Sequence, residues 1–227
     1  MHSSAHYRQL LARLPQIAVA ADQFQVLNSA KDFKSRILSL IAGATQRIYL
    51  IALYLQDDEA GREILSALYA AKQRNPALDI KVFVDFHRAQ RGLIGKGKQG
   101  GNHLMYQAMA ARHEHQIEIY GVPVKGRELL GVLHLKGFIF DDILLYSGAS
   151  LNDIYLHQQE RYRFDRYHQI HSQALTCSMV NYVDDVFLKS EAVQRLDRPG
   201  IPGAKQLKGQ IRRFKHNLRT SQYRFES

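Results

Sequence analysis

The feature that most constrains the fold is a strand, helix, strand succession in the first half of the chain. "QRIYLIALYLQ" is an apolar segment of the kind buried on both faces of a parallel sheet, and "EAGREILSALYAAKQRNP" carries a helical pattern that stops near Pro76. "LDIKVFVDFH" then alternates as a strand. Two strands joined through a helix form a parallel pair, and the crossover covers one face of the sheet. The expected class is therefore α/β, a layered domain with a mixed sheet flanked by helices. The flanking sequence agrees. Upstream, "AKDFKSRILSLIAGA" places Phe33, Ile37, Leu40 and Ile41 on one helical face. Downstream, a helix over 102–112 leads to "QIEIYGVPV", to the strand pair "GVLHLKGFIF" and "DILLYSGAS", to an alternating "ERYRFDRYHQI", and to a helical "ALTCSMVNYVDDVFLKS". After Arg195 the texture changes: "RLDRPGIPGAKQLKG" is rich in proline and glycine, and "QIRRFKHNLRTSQYRF" is a basic amphipathic tail. Two units are expected, a main domain over 1–195 and a linker with tail over 196–227.

Charge narrows the partners. Lysine and arginine outnumber aspartate and glutamate by 31 to 21, and the pI is near 9.7, which points to nucleic acid, phosphorylated metabolites or an anionic lipid surface. The first residues, "MHSSAHYRQLLARLPQ", lack the apolar run of a signal peptide, and Cys177 is the single cysteine. A cytoplasmic chain is expected, with any membrane contact peripheral.

The chemistry concentrates in "VLHLKGFIFDDILLYSGASLN", which reads H-x-K-x4-D-x6-G-x3-N through His134, Lys136, Asp141, Gly148 and Asn152. On a strand, residues two apart share a face, so His134 and Lys136 are expected to project together, with Leu133, Leu135 and Gly137 on the other side. An ammonium group disfavours protonation of a neighbouring imidazole, which leaves a ring nitrogen free as nucleophile, while the ammonium neutralises phosphate oxygens. An isolated H-x-K is more often a packing accident. Here the aspartate, glycine and asparagine at the further spacings favour chemistry.

This run resembles the HKD motif of the phospholipase D superfamily. With "ALYLQDDEAGREILSALYAAKQRNPALDIKVFVDFHRAQRG", "YGVPVKGRELLGVLHLKGFIFDD", "YSGASLNDIYLHQ" and "YRFDRYH", nearly the whole chain is similar to the N-terminal half of the phospholipase-D-like bacterial phosphatidylserine synthases. One departure is local: Gly148-Ala149-Ser150 stands where the superfamily often has Gly-Ser.

The resemblance implies a two-step phosphatidyl transfer without metal or cofactor, from CDP-diacylglycerol to L-serine at an anionic inner-membrane surface. His134 would be the nucleophile, Lys136 and Asn152 would hold phosphate oxygens, and Gly148 and Ser150 would line the substrate site. Asp141 is expected to orient its neighbours. Asp165 either fixes the tautomer of His134 or pairs with Arg163 or Arg166. It also implies a second HKD half carrying the general acid, because the superfamily uses two facing motifs and this chain has one. That half is either a missing C-terminal half or a second copy in a homodimer.

Two further segments carry weaker signals. "GLIGKGKQGG" imitates nucleotide-binding fingerprints, but its glycines lie beyond the end of the preceding strand and Gln99 replaces the magnesium-binding hydroxyl. It reads instead as a basic loop in which Arg88, Arg91, Lys96 and Lys98 face the CDP pyrophosphate, a lipid surface or solvent. In the tail, Leu207, Ile211, Phe214 and Leu218 form an apolar stripe for a membrane or for the second half. The rival class is a phospholipase-D-superfamily endonuclease or phosphodiesterase acting as a homodimer, or an inactive remnant. The aromatic residues do not form a nucleic-acid-binding motif, which makes nucleic acid the lesser partner.

Overall fold

A computed structural model describes residues 4–14, 16–91, 100–124, 132–221 and 223. Among the described residues eight strands form one sheet in the order β1-β7-β6-β5-β2-β3-β4-β8. The central strands β2 (Arg47–Ile51), β3 (Asp79–Asp85) and β4 (Glu118–Val122) are parallel. The strand-helix-strand expectation holds here, with α3 (Glu59–Arg74) between β2 and β3; α1 (Ser4–Leu11) comes first in the chain and α5 (His103–Ala110) leads to β4. Against β2 runs an antiparallel series of β5 (Gly137–Phe140), β6 (Ile143–Tyr146), β7 (Tyr167–His171) and β1 (Phe24–Leu27), and β8 (Gln194–Arg195) closes the opposite edge. The result is the mixed α/β sheet flanked by helices.

Alternation along the strands sorts the two faces. Leu50 pairs in register with Phe138, and Phe138 stacks on Phe33 of α2 (Ala30–Gly43), whose buried Phe33, Ile37, Leu40 and Ile41 form the stripe read from the sequence. Tyr49 and Phe83 lie on the other face with Tyr120 and Phe187. Phe187 belongs to the turn of π-helix at Asp184–Leu188 that follows α6 (Gln173–Val183). The tail does not stand apart. Leu196 is buried behind β8, and α7 (Lys208–Thr220) seats Ile211 and Phe214 in the core, with Phe214 edge-on to Phe187. Its apolar stripe is therefore covered by this chain and is not free for a membrane or a second half; the basic side chains remain outside.

Other differences have local causes. The segment 132–136 lies outside the ladder, and β5 begins only at Gly137. That glycine has φ +147, and a Cβ there would sit 2.7 Å from Met179 Cε, so the entry to β5 requires glycine. Likewise β7 starts at Tyr167, which leaves Asp165 in the loop ahead of it.

Asp141 occupies the β5–β6 turn with φ +51, a conformation that aspartate, asparagine and glycine tolerate best. Its carboxylate accepts the backbone N–H groups of Thr45, Gln46 and Arg47 at 2.9 Å each, tying this turn to the loop between α2 and β2. Burial pushes its pKa up, but the three amides together outweigh it and hold it below the usual carboxylate range. A carboxylate with a depressed folded pKa stabilises above its unfolded pKa and loses that contribution as pH falls through the folded value. Asp141→Asn, which keeps the backbone conformation, is expected to cost about 1 kcal/mol at pH 7. Denaturant unfolding should show the deficit shrinking below about pH 4; a deficit independent of pH would show that charge plays no part.

Candidate active site

The topology brings one set of side chains to one rim. The carboxyl ends of β2, β3 and β6 and the amino ends of β5 and β7 lie at the same edge of the sheet, the edge where α/β sheets bind ligands. To it come Tyr54 after β2, Arg88 and Arg91 after β3, His134 and Lys136 before β5, Gly148, Ser150 and Asn152 after β6, and Asp165 before β7. Asp141 lies at the other end of β5, five residues from Lys136 along an extended chain, or about 16 Å at the ordinary rise. It is removed from this rim, and its carboxylate is occupied by backbone.

His134 is exposed and Lys136 is buried, at 9% exposure, so the two do not project as the equal neighbours expected of a strand. The reason is the break before Gly137: without ladder partners the segment is not bound to strict alternation. Lys136 Nζ is fully enclosed and makes no hydrogen bond among the described residues. Burial lowers its pKa, and the carboxylate of Asp165 works in the opposite direction. An enclosed ammonium with unused donors is poised for an anion. Asp165 reaches it because residue 148 is glycine: a Cβ there would stand 2.7 Å from Asp165 Oδ2. Asp165 Oδ1 accepts the N–H of Arg166, and no hydrogen bond to His134 is formed among the described residues. Among the described residues Asp165 thus stands beside the lysine.

Asn152 is buried and its amide has a fixed orientation. Oδ1 accepts the N–H of Tyr155 at 3.0 Å, so Nδ2 must point the other way, toward Tyr54 Oη at 3.5 Å. The amide thus presents a donor to the rim, as phosphate binding needs. Ser150 is buried beside it. The loop that carries both is pinned to β2's extension by Gln56 N–H to Leu151 O (2.9 Å) and Leu151 N–H to Tyr54 O (3.1 Å).

Sequence reading missed two supports. Asp58 and Asp153 clasp the Asn152 loop to α3: Asp58 accepts the N–H groups of Asp153 and Gly61, and Asp153 accepts that of Ala60. Burial, with Asp153 beside it, pushes Asp58 up to about 6. Asp85, fully buried, accepts the N–H groups of His87 and Arg88 with Oδ1 and that of Leu133 with Oδ2, fixing the segment that leads into His134. An aspartate at a helix N-cap (Asp58, ahead of α3) and an aspartate closing a strand (Asp85, at the end of β3) are the available signals, but the other partners are remote in sequence. Arg88 lies in α4 (Phe86–Gln90) and is close enough to influence the Tyr54 phenol, and Arg91 follows the helix. Lys96 and Lys98 lie outside the described residues. Among the described residues, no helix is long and apolar enough to cross a membrane.

No protein-family model matches the chain. The chain is 45% identical over 221 residues to CDP-diacylglycerol–serine O-phosphatidyltransferase PssA of Escherichia coli, covering 97% of this chain and 49% of that protein. It is 27% identical over 167 residues to a probable CDP-diacylglycerol–glycerol-3-phosphate 3-phosphatidyltransferase of Dictyostelium discoideum, covering 68% of this chain and 28% of that one. The crystal structure of phosphatidylserine synthase from Haemophilus influenzae superposes with a TM-score of 0.94 at 43% identity, covering 100% of this chain and 51% of that chain. Over nearly its whole length the chain is thus similar, in sequence and in fold, to one half of the bacterial phosphatidylserine synthases, and it spans about half the length of those relatives.

Proposed function

We propose that this chain supplies one half of a phosphatidyltransferase active site that moves the phosphatidyl group of CDP-diacylglycerol to the hydroxyl of L-serine. The observation that carries the reading is the enclosed ammonium of Lys136, without a hydrogen bond among the described residues, two residues from an exposed His134, with the Asn152 amide donor on the same rim. In the first step a ring nitrogen of His134 attacks phosphorus, a P–N bond forms, and the P–O bond to CMP breaks. Lys136 and Asn152 hold the non-bridging oxygens as charge builds on them. In the second step the serine hydroxyl attacks phosphorus and gives its proton to the group on the second half that protonated CMP, the P–N bond breaks and His134 is released. A second motif-bearing half, from a further segment or a second copy, supplies the acid that protonates the leaving CMP. The donor is named in the serine-specific and glycerol-phosphate-specific relatives alike, which supports CDP-diacylglycerol independently of the acceptor. The net charge of +10 and the exposed basic residues of α7 support electrostatic contact with anionic lipid.

Trapping tests this directly. Quenching the chain with CDP-diacylglycerol labelled in the diacylglycerol moiety, with the C-terminal half of a relative added, is expected to leave acid-labile label on His134. His134→Asn should carry none. Equal labelling of the variant would overturn the nucleophile assignment.

A further inference from the structure

The loop that delivers Asn152 also delivers a cation that the two-step chemistry leaves unused. Arg163 is exposed, and its backbone N–H closes the loop on Ile154 O at 2.9 Å. Its guanidinium lies over the ring of Tyr155, 5.7 Å from the centroid, with Nη1 3.4 Å from Tyr155 Oη. The Tyr155 N–H is in turn the donor that fixes Asn152. Among the described residues Arg163 forms no ion pair, although Asp165 is two positions away; Asp165 is instead turned toward Gly148 and Lys136. An arginine stacked on an aromatic ring keeps its planar fork oriented and loses little freedom when it binds a carboxylate or phosphate.

The neighbourhood is arranged around Tyr54. Its phenol is raised above the ordinary range chiefly by burial and then by Tyr155, while Arg88 and Arg163 both pull it down, so the two guanidinium groups lie within electrostatic reach of one hydroxyl. That hydroxyl is the group toward which Asn152 Nδ2 points. Lys136 already has Asp165 as a counter-charge. Arg163 has none.

From this we infer that Arg163, held by Tyr155 and set beside Tyr54, forms a second oxyanion subsite next to the Lys136–Asn152 clamp, one that takes a substrate anion other than the phosphoryl group under attack. The inference rests on the proposed transfer reaction. Two anions in that reaction have this chemistry, the phosphate of the departing nucleotide and the carboxylate of the acceptor. Both present the planar or trigonal oxygen pair that an arginine fork matches.

Binding to the full chain separates these sources without requiring turnover. Calorimetric titrations with CMP and with L-serine would be paired with cytidine and serinol, which lack the oxyanion. In Arg163→Gln one of the two anionic ligands should bind about 5- to 10-fold more weakly, as expected for a solvent-accessible charge-assisted contact, while cytidine and serinol bind as to the parent. A loss with CMP assigns the subsite to the leaving nucleotide, and a loss with L-serine assigns it to the acceptor. Arg161→Gln, an exposed change of the same charge nearby, should leave both affinities intact. The subsite is overturned if the parent binds neither anion, if Arg163→Gln binds both as the parent does, or if Arg161→Gln weakens them equally. Absence of label on His134 with the Arg163 dependence retained would remove the transfer reaction and leave the subsite standing.

Discussion

Lys136→Met should make the protein more stable and the site inert. The methionine fills the volume of the buried stem and removes an ammonium enclosed without a hydrogen bond, so a gain of about 1–2 kcal/mol is expected at pH 7. For a domain of this size that corresponds to a rise in melting temperature of roughly 2–8 °C. The sign follows from the lysine's pKa, which burial lowers even though Asp165 opposes the shift. A base whose folded pKa is depressed costs stability while it is charged in the fold, and the cost fades as pH rises through the folded value toward the ordinary one. The advantage of the methionine variant should therefore be full near neutrality and shrink as pH approaches about 10. Labelling of His134 by CDP-diacylglycerol should fall by about 10²–10³-fold, the usual consequence of removing a donor aimed at developing charge. Calorimetry across pH together with the trapping experiment checks both halves. A lower melting temperature would mean that the ammonium is satisfied in the fold, which would sink the idea of a pre-emptied anion site.

This opposition of stability and function explains what was legible in the chain. Periodicity reports burial, and burial is what the core elements share. Hence β2, α3, β3 and the apolar face of α2 were all legible, with Phe33 and Ile37 where the pattern put them. The H-x-K spacing likewise identified the rim, because the motif itself fixes which residues flank β5. Side-chain direction was less legible. Alternation assigns His134 and Lys136 to one face only while the ladder holds, and the ladder starts at Gly137. The tail misled for a related reason. An amphipathic stripe records that a helix has an apolar neighbour without naming it, and for α7 the neighbour is Phe187 of the same chain.

Long-range polar contacts leave the faintest trace. Asp141 reads as part of the motif, yet its carboxylate serves backbone amides about a hundred positions earlier, at the end of β5 away from the rim. Asp58 and Asp153 look like ordinary surface acids, and only the fold reveals that each holds the other's segment beside Asn152. No local pattern encodes such pairings, since they depend on which strand ends share an edge of the sheet.

The strongest case of this kind is Asp85, and Asp85→Ala is expected to be the most damaging single change outside the motif. One fully buried carboxylate serves three backbone donors. Oδ1 takes His87 N–H at 2.9 Å and Arg88 N–H at 3.0 Å, starting α4, while Oδ2 takes Leu133 N–H at 2.9 Å. Removing it leaves the cap empty and orphans the Leu133 amide in a buried position, for a combined cost of about 3–5 kcal/mol. Asp85→Asn is the informative companion. Its single carbonyl oxygen can keep either the cap or Leu133 but not both, and its amide group offers a donor where an acceptor is needed. The asparagine variant should remain folded, with about half the loss of the alanine variant in denaturant unfolding. If Asp85 positions the nucleophile's segment, labelling of His134 should fall in the asparagine variant by more than the unfolded fraction accounts for, and amide exchange at Leu133 should accelerate. Labelling that simply tracks the folded fraction would make Asp85 a stabilising residue with no hold on His134.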